Sequence, residues 1–393
     1  MTIQLDIYQT MALVALVFYL GKYLKDRITV LTKYCIPPAV VGGFVFALVI
    51  LFFNQTGLIT IVLDTTLQNI FMTAFFTSIG FTASIKILKK GGIKVVTFLG
   101  VATALVFLQN IVGVTLASAF NLSPLLGLAT GSIPMVGGHG TSGSFGPMLE
   151  SMGVSGATTV SFASATFGLI MGSIIGGFVA KGLITRHKLE PSHTTPEGSL
   201  NEETHDLLSL KKLMSAASLL FIAMGLGSIV SSAIEAAGLT FPSYIGAMLV
   251  AAVIRNLYDF RHHTLAEKEI ETLGSLSLSF FLTMALMGLK LWELFDLALP
   301  LIIMLLAQTL LAATFAYFIT YRVMGKNYEA AVFSSALCGF GMGATPNAIA
   351  NMDELTNRYG YAPTPYFVVP LVGCLFIDFV NSTVITLFIN LLQ

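Results

Sequence analysis

GGHGTSG at residues 137–143 and GFGMGATPN at residues 339–347 are the two stretches that decide the fold. Each follows a short apolar run, is rich in glycine, and is ended by a proline, Pro147 or Pro346. Because glycine and proline both disfavour a helix interior, we expect neither tract to form a regular helix. Lipid cannot hydrogen-bond the peptide groups that a broken helix leaves free, so both tracts are expected to face protein or a water-filled cavity.

The rest of the chain is apolar enough to cross a membrane many times. Of its 393 residues, 55% are hydrophobic and 10% are charged, whereas a soluble domain has about 25% charged residues. The apolar runs are continuous over about 18 to 25 residues, which indicates helices rather than the short alternating strands of a barrel. We predict an all-α polytopic membrane protein with about ten transmembrane helices. The predicted spans are residues 7–24, 36–53, 68–88, 95–120, 156–180, 213–235, 241–257, 273–291, 298–320 and 366–391.

The positions of the Lys and Arg residues predict the topology. If both glycine-rich tracts enter the membrane and return to the same side, all of the 20 basic residues except Lys290 lie on one face. By the positive-inside rule that face is the cytoplasm, so both termini are predicted to be periplasmic. If the tracts were full spans, the basic loops would fall on opposite faces. The charge pattern therefore favours re-entrant loops.

The chain is predicted to consist of two related halves. Residues 181–212 are rich in Ser, Thr, Pro, Glu and His and cannot bury enough apolar surface to order themselves, so they form a cytoplasmic linker. The linker separates an N-terminal repeat, residues 1–180, from a C-terminal repeat, residues 213–393. Each half crosses the membrane five times, so the halves are inverted repeats, as in many secondary transporters. At one common offset Pro38 matches Pro242, Gly42 matches Gly246, Gly137 matches Gly341 and Thr141 matches Thr345.

The two tracts are also the candidate substrate site. Broken backbone within a membrane offers N–H donors to an anion and carbonyl oxygens to a cation without any charged side chain. The competing interpretation is that the glycines only allow helices to pack closely, and the recurrence of the tract in both halves favours binding. Within the first tract, His139 would either relay protons or fix the loop. The candidate substrate-binding residues are Gly138, His139, Gly140, Thr141, Ser142, Gly341, Gly343, Thr345 and Asn347.

Asp378 is the one formally charged residue well inside a predicted span. An ionised Asp at mid-bilayer costs about 2.5 to 3.5 kcal/mol on insertion scales. Asn381 and Ser382 follow at i+3 and i+4 and share its helical face. Oxygen atoms suit a hard cation such as Na⁺, or a proton if Asp378 titrates, so all three are candidate sodium ligands. The competing interpretation is that Asp378 only hydrogen-bonds a neighbouring helix.

Several strings in the chain resemble the bacterial sodium/glutamate symporter family. The resemblance extends over nearly the whole chain and weakens in the linker and in the outer loop at residues 54–64. It implies Na⁺-coupled uptake of L-glutamate across the inner membrane, with Na⁺ as the co-transported ion. It also implies two inverted five-helix repeats with one re-entrant loop each, and a homodimer. The strings are residues 137–143, 281–294, 324–328 and 338–352.

The resemblance places the family's two loop signatures on residues 137–143 and 339–347, and residues 376–381 also resemble a family motif. No Lys or Arg lies well inside a predicted span to hold the substrate's γ-carboxylate. We therefore hypothesise that this carboxylate binds loop N–H groups and hydroxyls, with an amide assisting. The side chains in this hypothesis are those of Thr141, Ser142, Thr345 and Asn347.

Other functions remain open alternatives at this point. One is proton- or sodium-coupled transport of another small carboxylate, with Asp378 as the proton carrier; another is a channel or passive facilitator. An enzyme is not predicted, because the sequence has no HExxH helix and no nucleophile elbow. Residues 138–143 match the dinucleotide fingerprint by letter, but no β-strand is predicted before them. The formal net charge of zero gives no indication of nucleic-acid binding.

Overall fold

The computed structural model describes residues 2–34, 36–56, 60–90, 92–191, 209–236, 242, 244–262, 264–294 and 297–392. Within these ranges seven helices are long and apolar enough to cross a bilayer, and a pair bent by 48°, Pro363–Gly373 with Ile377–Leu392, would make an eighth. The prediction of a polytopic helical membrane protein is therefore confirmed. The count of ten spans stays a prediction, and the part of the predicted linker at residues 192–208 lies outside the described residues.

The helices are numbered α1 to α19 along the chain. They are α1 Ile7–Arg27, α2 Thr29–Lys33, α3 Pro38–Thr56, α4 Thr66–Gly80, α5 Ile85–Lys90, α6 Gly92–Ala119, α7 Pro124–Leu128, α8 Ser132–Met135, α9 Gly138–Ser151, α10 Ala157–His187, α11 Leu210–Ala236, α12 Tyr244–Phe260, α13 Glu267–Met287, α14 Ala298–Phe315, α15 Tyr321–Val323, α16 Tyr328–Gly341, α17 Thr345–Tyr359, α18 Pro363–Leu375 and α19 Ile377–Leu392. A 3-10 helix, Leu291–Leu294, precedes α14, and a π-helix, Ala316–Thr320, joins α14 to α15. Two short strands that the sequence did not predict, β1 Thr2–Gln4 and β2 Thr60–Val62, pair in parallel.

The helices pack into two groups. The companion bundle consists of α1, α3, α4, α11, α12 and α13, and the hairpin bundle consists of α6 to α10 and α14 to α19. Each bundle draws helices from both halves of the chain. Between the bundles the main helix contacts are those of α9 with α13 and of α4 with α19. Most of the packing therefore lies within each bundle.

Both glycine-rich tracts lie at the turns of helical hairpins in the hairpin bundle. In the first hairpin, α7 and α8 lead to a turn at residues 136–137 and α9 leads back. In the second, α16 leads to a turn at residues 342–344 and α17 leads back. Each tract thus supplies the connection between the two arms of a hairpin.

The expectation that neither tract forms regular helix is wrong for most of their residues. Gly138 to Gly143 form the first turns of α9, and Pro147 lies inside that helix. Tertiary packing explains the difference, because a Cβ on Gly143 would lie 2.6 Å from Phe281 Cζ, so a larger residue would separate α9 from α13. In the second tract Pro346 lies in the first turn of α17, where its missing N–H costs nothing. The broken backbone is limited to the two turns.

Glycine pairs set the closest helix crossings in the companion bundle. A Cβ on Gly42 in α3 would lie 2.1 Å from the carbonyl oxygen of Val17 in α1. A Cβ on Gly246 in α12 would lie 2.1 Å from the carbonyl oxygen of Gly227 in α11. Both pairs of helices therefore approach backbone to backbone, as small residues allow in membranes.

Replacing Gly227 by alanine is expected to destabilise the protein by about 1 to 3 kcal/mol through overpacking. Its Cβ would lie 2.2 Å from the Cα of Ala247. Thermal unfolding of the purified protein in detergent measures the effect. Gly225→Ala in the same helix is the matched control, because its Cβ would meet no atom within 4 Å. Equal unfolding temperatures for the two variants would contradict this account of the crossing.

Candidate functional site

The turns of the two hairpins touch each other. Gly138 has φ +60°, in the left-handed region, and a Cβ on it would lie 3.2 Å from the carbonyl oxygen of Gly343. Glycine adopts this backbone conformation without the steric cost that a side chain brings. The two turns therefore meet through backbone atoms, with little room for a side chain between them.

Neighbouring residues of α6 hold the two hairpins in register. Gln109 Nε2 donates to the carbonyl oxygen of Gly341 at 2.7 Å, and Asn110 Oδ1 accepts from the N–H of Ser132 at 2.9 Å. Gln308 Nε2 donates in turn to the carbonyl oxygen of Gln109 at 2.8 Å. All three amide side chains are fully buried. They link helices and do not line the cavity described below.

A cavity of about 640 Å³ lies beside the hairpin turns, between the two bundles. A volume in the range of about 300 to 1,000 Å³ is typical of small-molecule sites. One wall comes from the two turns and from the break between α18 and α19. The facing wall comes from α4 and α13, where Phe75 and Leu278 lie against Gly140. The cavity is large enough for an amino acid.

The predicted site residues divide into those that line the cavity and those that do not. The lining residues are Gly138, His139, Gly140, Gly343, Thr345, Asn347 and Asp378. The others, Thr141, Ser142, Gly341, Asn381 and Ser382, are buried in the helices behind it. The hydroxyl of Ser142 donates to the carbonyl oxygens of Gly138 at 2.7 Å and Ser161 at 3.3 Å. It is therefore used within the hairpin bundle and is not directed at the cavity.

His139 is held by a hydroxyl of α10. Its Nε2 lies 3.0 Å from Thr166 Oγ1, which itself donates to the carbonyl oxygen of Phe162 at 3.0 Å. The hydrogen bond with Thr166 fixes the ring at the cavity wall.

Asn347 is fixed so that its oxygen, not its nitrogen, is available. Its Nδ2 donates to the carbonyl oxygen of Leu169 at 2.8 Å and to Ser173 Oγ at 3.0 Å, which uses both amide protons. Its Oδ1 is buried and has no hydrogen-bond partner among the described residues. An amide so arranged accepts from an ammonium group or binds a cation, and does not donate to a carboxylate.

Asp378 lies just after a break in a helix that the sequence predicts to be continuous over residues 366–391. The chain bends between α18 and α19, and Asp378 falls in the first turn of α19 at the cavity wall. The positive end of a helix dipole stabilises a carboxylate there by about 0.3 to 1 kcal/mol, and by up to about 2 kcal/mol in partly buried sites. Part of the cost of placing Asp378 in the membrane is thereby offset.

One end of the cavity reaches the protein surface beside a cluster of charges. Buried Arg255 pairs with Asp259 Oδ2 at 3.2 Å and with Glu267 Oε1 at 2.5 Å, and the side chain of Glu267 is 63% exposed. Towards the base of the first hairpin the bundles share an apolar cluster that includes Phe145, Tyr244 and Phe281. The cavity therefore reaches the surface at the charged end, and the apolar cluster connects the two bundles elsewhere.

Sequence reasoning missed residues that look unremarkable within apolar runs. Tyr244 is fully buried, stacks on Phe76 with ring centroids 3.8 Å apart, and accepts a hydrogen bond from Ser144 Oγ at 3.3 Å. Ser132 lies at the start of α8 with its hydroxyl buried. No motif or periodicity distinguishes either residue in the sequence, since their contacts are to distant helices.

Comparison with known proteins gives a consistent result. A family model described as Sodium/glutamate symporter matches residues 3–361. The chain is 39% identical over 394 residues to the sodium/glutamate symporter of Escherichia coli (strain K12), covering 98% of each chain. It is also 39% identical over 386 residues to the sodium/glutamate symporter of Haemophilus influenzae, covering 96% of each chain.

Proposed function

The chain belongs to the sodium/glutamate symporter family, and from that membership we propose that it couples L-glutamate uptake to Na⁺ across the bacterial inner membrane. It is a transporter rather than an enzyme, and Na⁺ is its co-transported ion. The observation that carries the proposal is the cavity at the two touching hairpin turns. The cavity has the size of an amino-acid site and lies between the two bundles.

Two helix N-termini at the cavity support binding of a dicarboxylate. Helices α9 and α17 begin at Gly138 and Thr345, and each first turn contributes to the cavity wall. Free N–H groups and the positive dipole ends at such positions favour carboxylates. Glutamate can thus be held without a Lys or Arg side chain. The buried environment strengthens each of these interactions relative to water.

The remaining polar groups suggest how the substrate ammonium group and Na⁺ are bound. Asn347 Oδ1 is suited to the substrate ammonium or to Na⁺, so we now assign it to a cation and not to the γ-carboxylate. Thr345 keeps its proposed role beside a carboxylate, because it lies on the cavity wall. For Thr141 and Ser142 we propose a supporting role within the hairpin. Asp378, Asn381 and Ser382 remain our candidate sodium ligands.

Two inverted repeats of five spans, residues 1–180 and 213–393, account for the paired features of the fold. Gly42 and Gly246, which match in the two halves, both occupy a closest crossing of two helices in the companion bundle. Gly137 and Gly341 both lie at or next to a hairpin turn, and the two turns touch. These correspondences support re-entrant hairpins that enter from opposite faces.

Alternating access is proposed to occur by movement of the hairpin bundle against the companion bundle. The helix contacts between the bundles are fewer than those within each bundle, and the cavity lies between the bundles. The open end of the cavity is near Arg255, which the positive-inside rule places in the cytoplasm. We therefore assign the structure to an inward-open state, with both termini periplasmic. The proposed assembly is a homodimer in the bilayer.

Uptake of radiolabelled L-glutamate by purified protein in proteoliposomes tests the function. We expect accumulation with Na⁺ outside and little uptake when choline replaces Na⁺. Two or more Na⁺ per glutamate carry net positive charge inward, so an inside-negative potential is expected to raise accumulation, by about 2.3 kcal/mol per net charge for each 100 mV.

One rival function is transport of a carboxylate coupled to protons, with Asp378 on the cavity wall as the proton carrier. The same vesicles with Na⁺ absent and an acidic exterior separate the two functions. Full uptake under that pH gradient would contradict Na⁺ coupling. Sodium-driven uptake of another small carboxylate in preference to glutamate would contradict the assigned substrate.

A further inference from the structure

Two buried side-chain oxygen atoms belong to residues that contact each other, Ser132 of α8 and Asn381 of α19, behind the cavity wall. Asn381 Nδ2 donates to the carbonyl oxygen of Ser132 at 3.1 Å, which brings the two residues into contact. Both side chains are fully buried. Neither Asn381 Oδ1 nor Ser132 Oγ has a hydrogen-bond partner among the described residues. Buried polar atoms are nearly always paired, so a ligand is indicated for this pair.

The orientation of the Asn381 amide is determined by its neighbours. If the amide were flipped, Oδ1 would face the carbonyl oxygen of Ser132 and two acceptors would oppose each other. The N–H of Ser132 is also fixed, because it donates to Asn110 Oδ1 at 2.9 Å. The unpaired oxygen atoms at this position are an amide oxygen and a hydroxyl oxygen, and both have lone pairs that can bind a cation. Asn110 Nδ2 nearby, which also has no partner among the described residues, is a donor and is not a ligand in the site proposed below.

We propose that this pair forms a Na⁺ site, with Ser132 Oγ and Asn381 Oδ1 as two of the oxygen ligands. The proposal rests on the Na⁺-coupled function and adds Ser132, a residue of the first hairpin, to the coordination. Hard cations prefer neutral and anionic oxygen ligands. Asp378 lies one helical turn before Asn381 in α19, and its carboxylate offsets both the ionic charge and the positive end of the helix dipole.

The site would couple the ion to the substrate through the first hairpin. Ser132 begins α8, which leads directly to the turn where Gly138 meets Gly343. A cation that joins α8 to α19 fixes the position of that turn relative to the N-terminus of α19. The N-termini of α9 and α17 are then held in place more firmly when Na⁺ is bound. Glutamate affinity is therefore expected to depend on occupancy of this site.

The test measures Na⁺ dependence in two ways. In proteoliposomes, Ser132→Ala is expected to raise the Na⁺ concentration for half-maximal glutamate uptake about tenfold or more, as loss of one buried ligand predicts. In detergent without glutamate, replacing choline chloride by NaCl at constant ionic strength is expected to raise the unfolding temperature of the unmodified protein but not that of Ser132→Ala. Ser132→Cys keeps the shape of the side chain but replaces a hard oxygen by a soft sulfur, so it is expected to raise the half-maximal Na⁺ concentration as Ser132→Ala does.

Ser334→Ala is the matched control. Ser334 is fully buried in the second hairpin, and its hydroxyl donates to the carbonyl oxygen of Ala330 in its own helix at 2.8 Å. Its Na⁺ dependence is expected to equal that of the unmodified protein. If the unmodified protein is Na⁺-driven and all three variants match it within about twofold, the proposed site is overturned while the proposed function stands. If the unmodified protein takes up glutamate without Na⁺, the function fails and the site fails with it.

Discussion

Replacing Gly138 by valine is expected to reduce Na⁺-driven glutamate uptake about thirty- to hundredfold, the equivalent of about 2 to 3 kcal/mol. Gly138 has φ +60°, which a β-branched residue adopts only with strain. The Cβ would also lie 3.2 Å from the carbonyl oxygen of Gly343, so the added methyl groups would push the two hairpin turns apart. The N-termini of α9 and α17 would then no longer converge on one substrate. Initial uptake rates in proteoliposomes measure the loss.

A glycine elsewhere in the hairpin bundle provides the control for this change. Gly177 lies inside α10, and a Cβ on it would meet no atom within 4 Å. Gly177→Ala is therefore expected to transport at the rate of the unmodified protein, while Gly138→Ala is expected to fall between that rate and the rate of Gly138→Val. Near-normal uptake by Gly138→Val would show that the contact between the turns is not required for transport.

Replacing Asp378 by alanine is expected to abolish Na⁺-driven accumulation, with a loss of about a hundredfold or more. Removing the anionic partner of a charge buried in the membrane costs about 3 to 5 kcal/mol. Asp378 lies at the cavity wall in the first turn of α19, where an entering cation would reach it before Asn381. Uptake measured at fixed glutamate over a wide range of Na⁺ concentrations is the readout.

Two further substitutions identify the basis of the Asp378 effect. Asp378→Glu keeps the charge and is expected to retain part of the activity, whereas Asp378→Asn keeps the shape and is expected to behave like alanine. If Asp378→Asn transported normally under a Na⁺ gradient, the carboxylate would have only a structural role. If its uptake lost a dependence on external pH and kept its dependence on Na⁺, Asp378 would be a proton carrier and not a Na⁺ ligand.

The position of the glycine-rich tracts was predictable, but their local conformation was not. Glycine and proline propensities identified where the helices break, and the breaks occur at residues 136–137 and 342–344. Those propensities also predicted that Gly138 to Gly143 would be irregular, and the tract is helical because α9 must approach Phe281 closely. Local propensity accounts for the turn, and contacts with a distant helix account for the rest.

A site residue could be predicted from the sequence when its own chemistry, and not a contact with a distant helix, determines its role. Asp378 was identified by its charge alone. Its position at the start of a helix depends on the bend between α18 and α19, which the hydropathy of the sequence does not predict. The roles of Asn347 and Ser132 depend on partners far away in the sequence, Leu169 for one and Asn381 for the other. Such pairings arise only when the hairpins pack against α10 and α19.

The cavity wall that faces the hairpin turns is apolar next to Gly140, and this affects how the substrate is held during transport. Next to Gly140 that wall presents Phe75 and Leu278, whereas the polar groups around the turns belong to the hairpin bundle. If transport occurs by the proposed movement of the hairpin bundle, a solute bound mainly by that bundle moves with it. The dissociation constant of the solute is then nearly the same in the outward-facing and inward-facing states. The direction of net flux follows from the solute and ion gradients and not from a change in affinity.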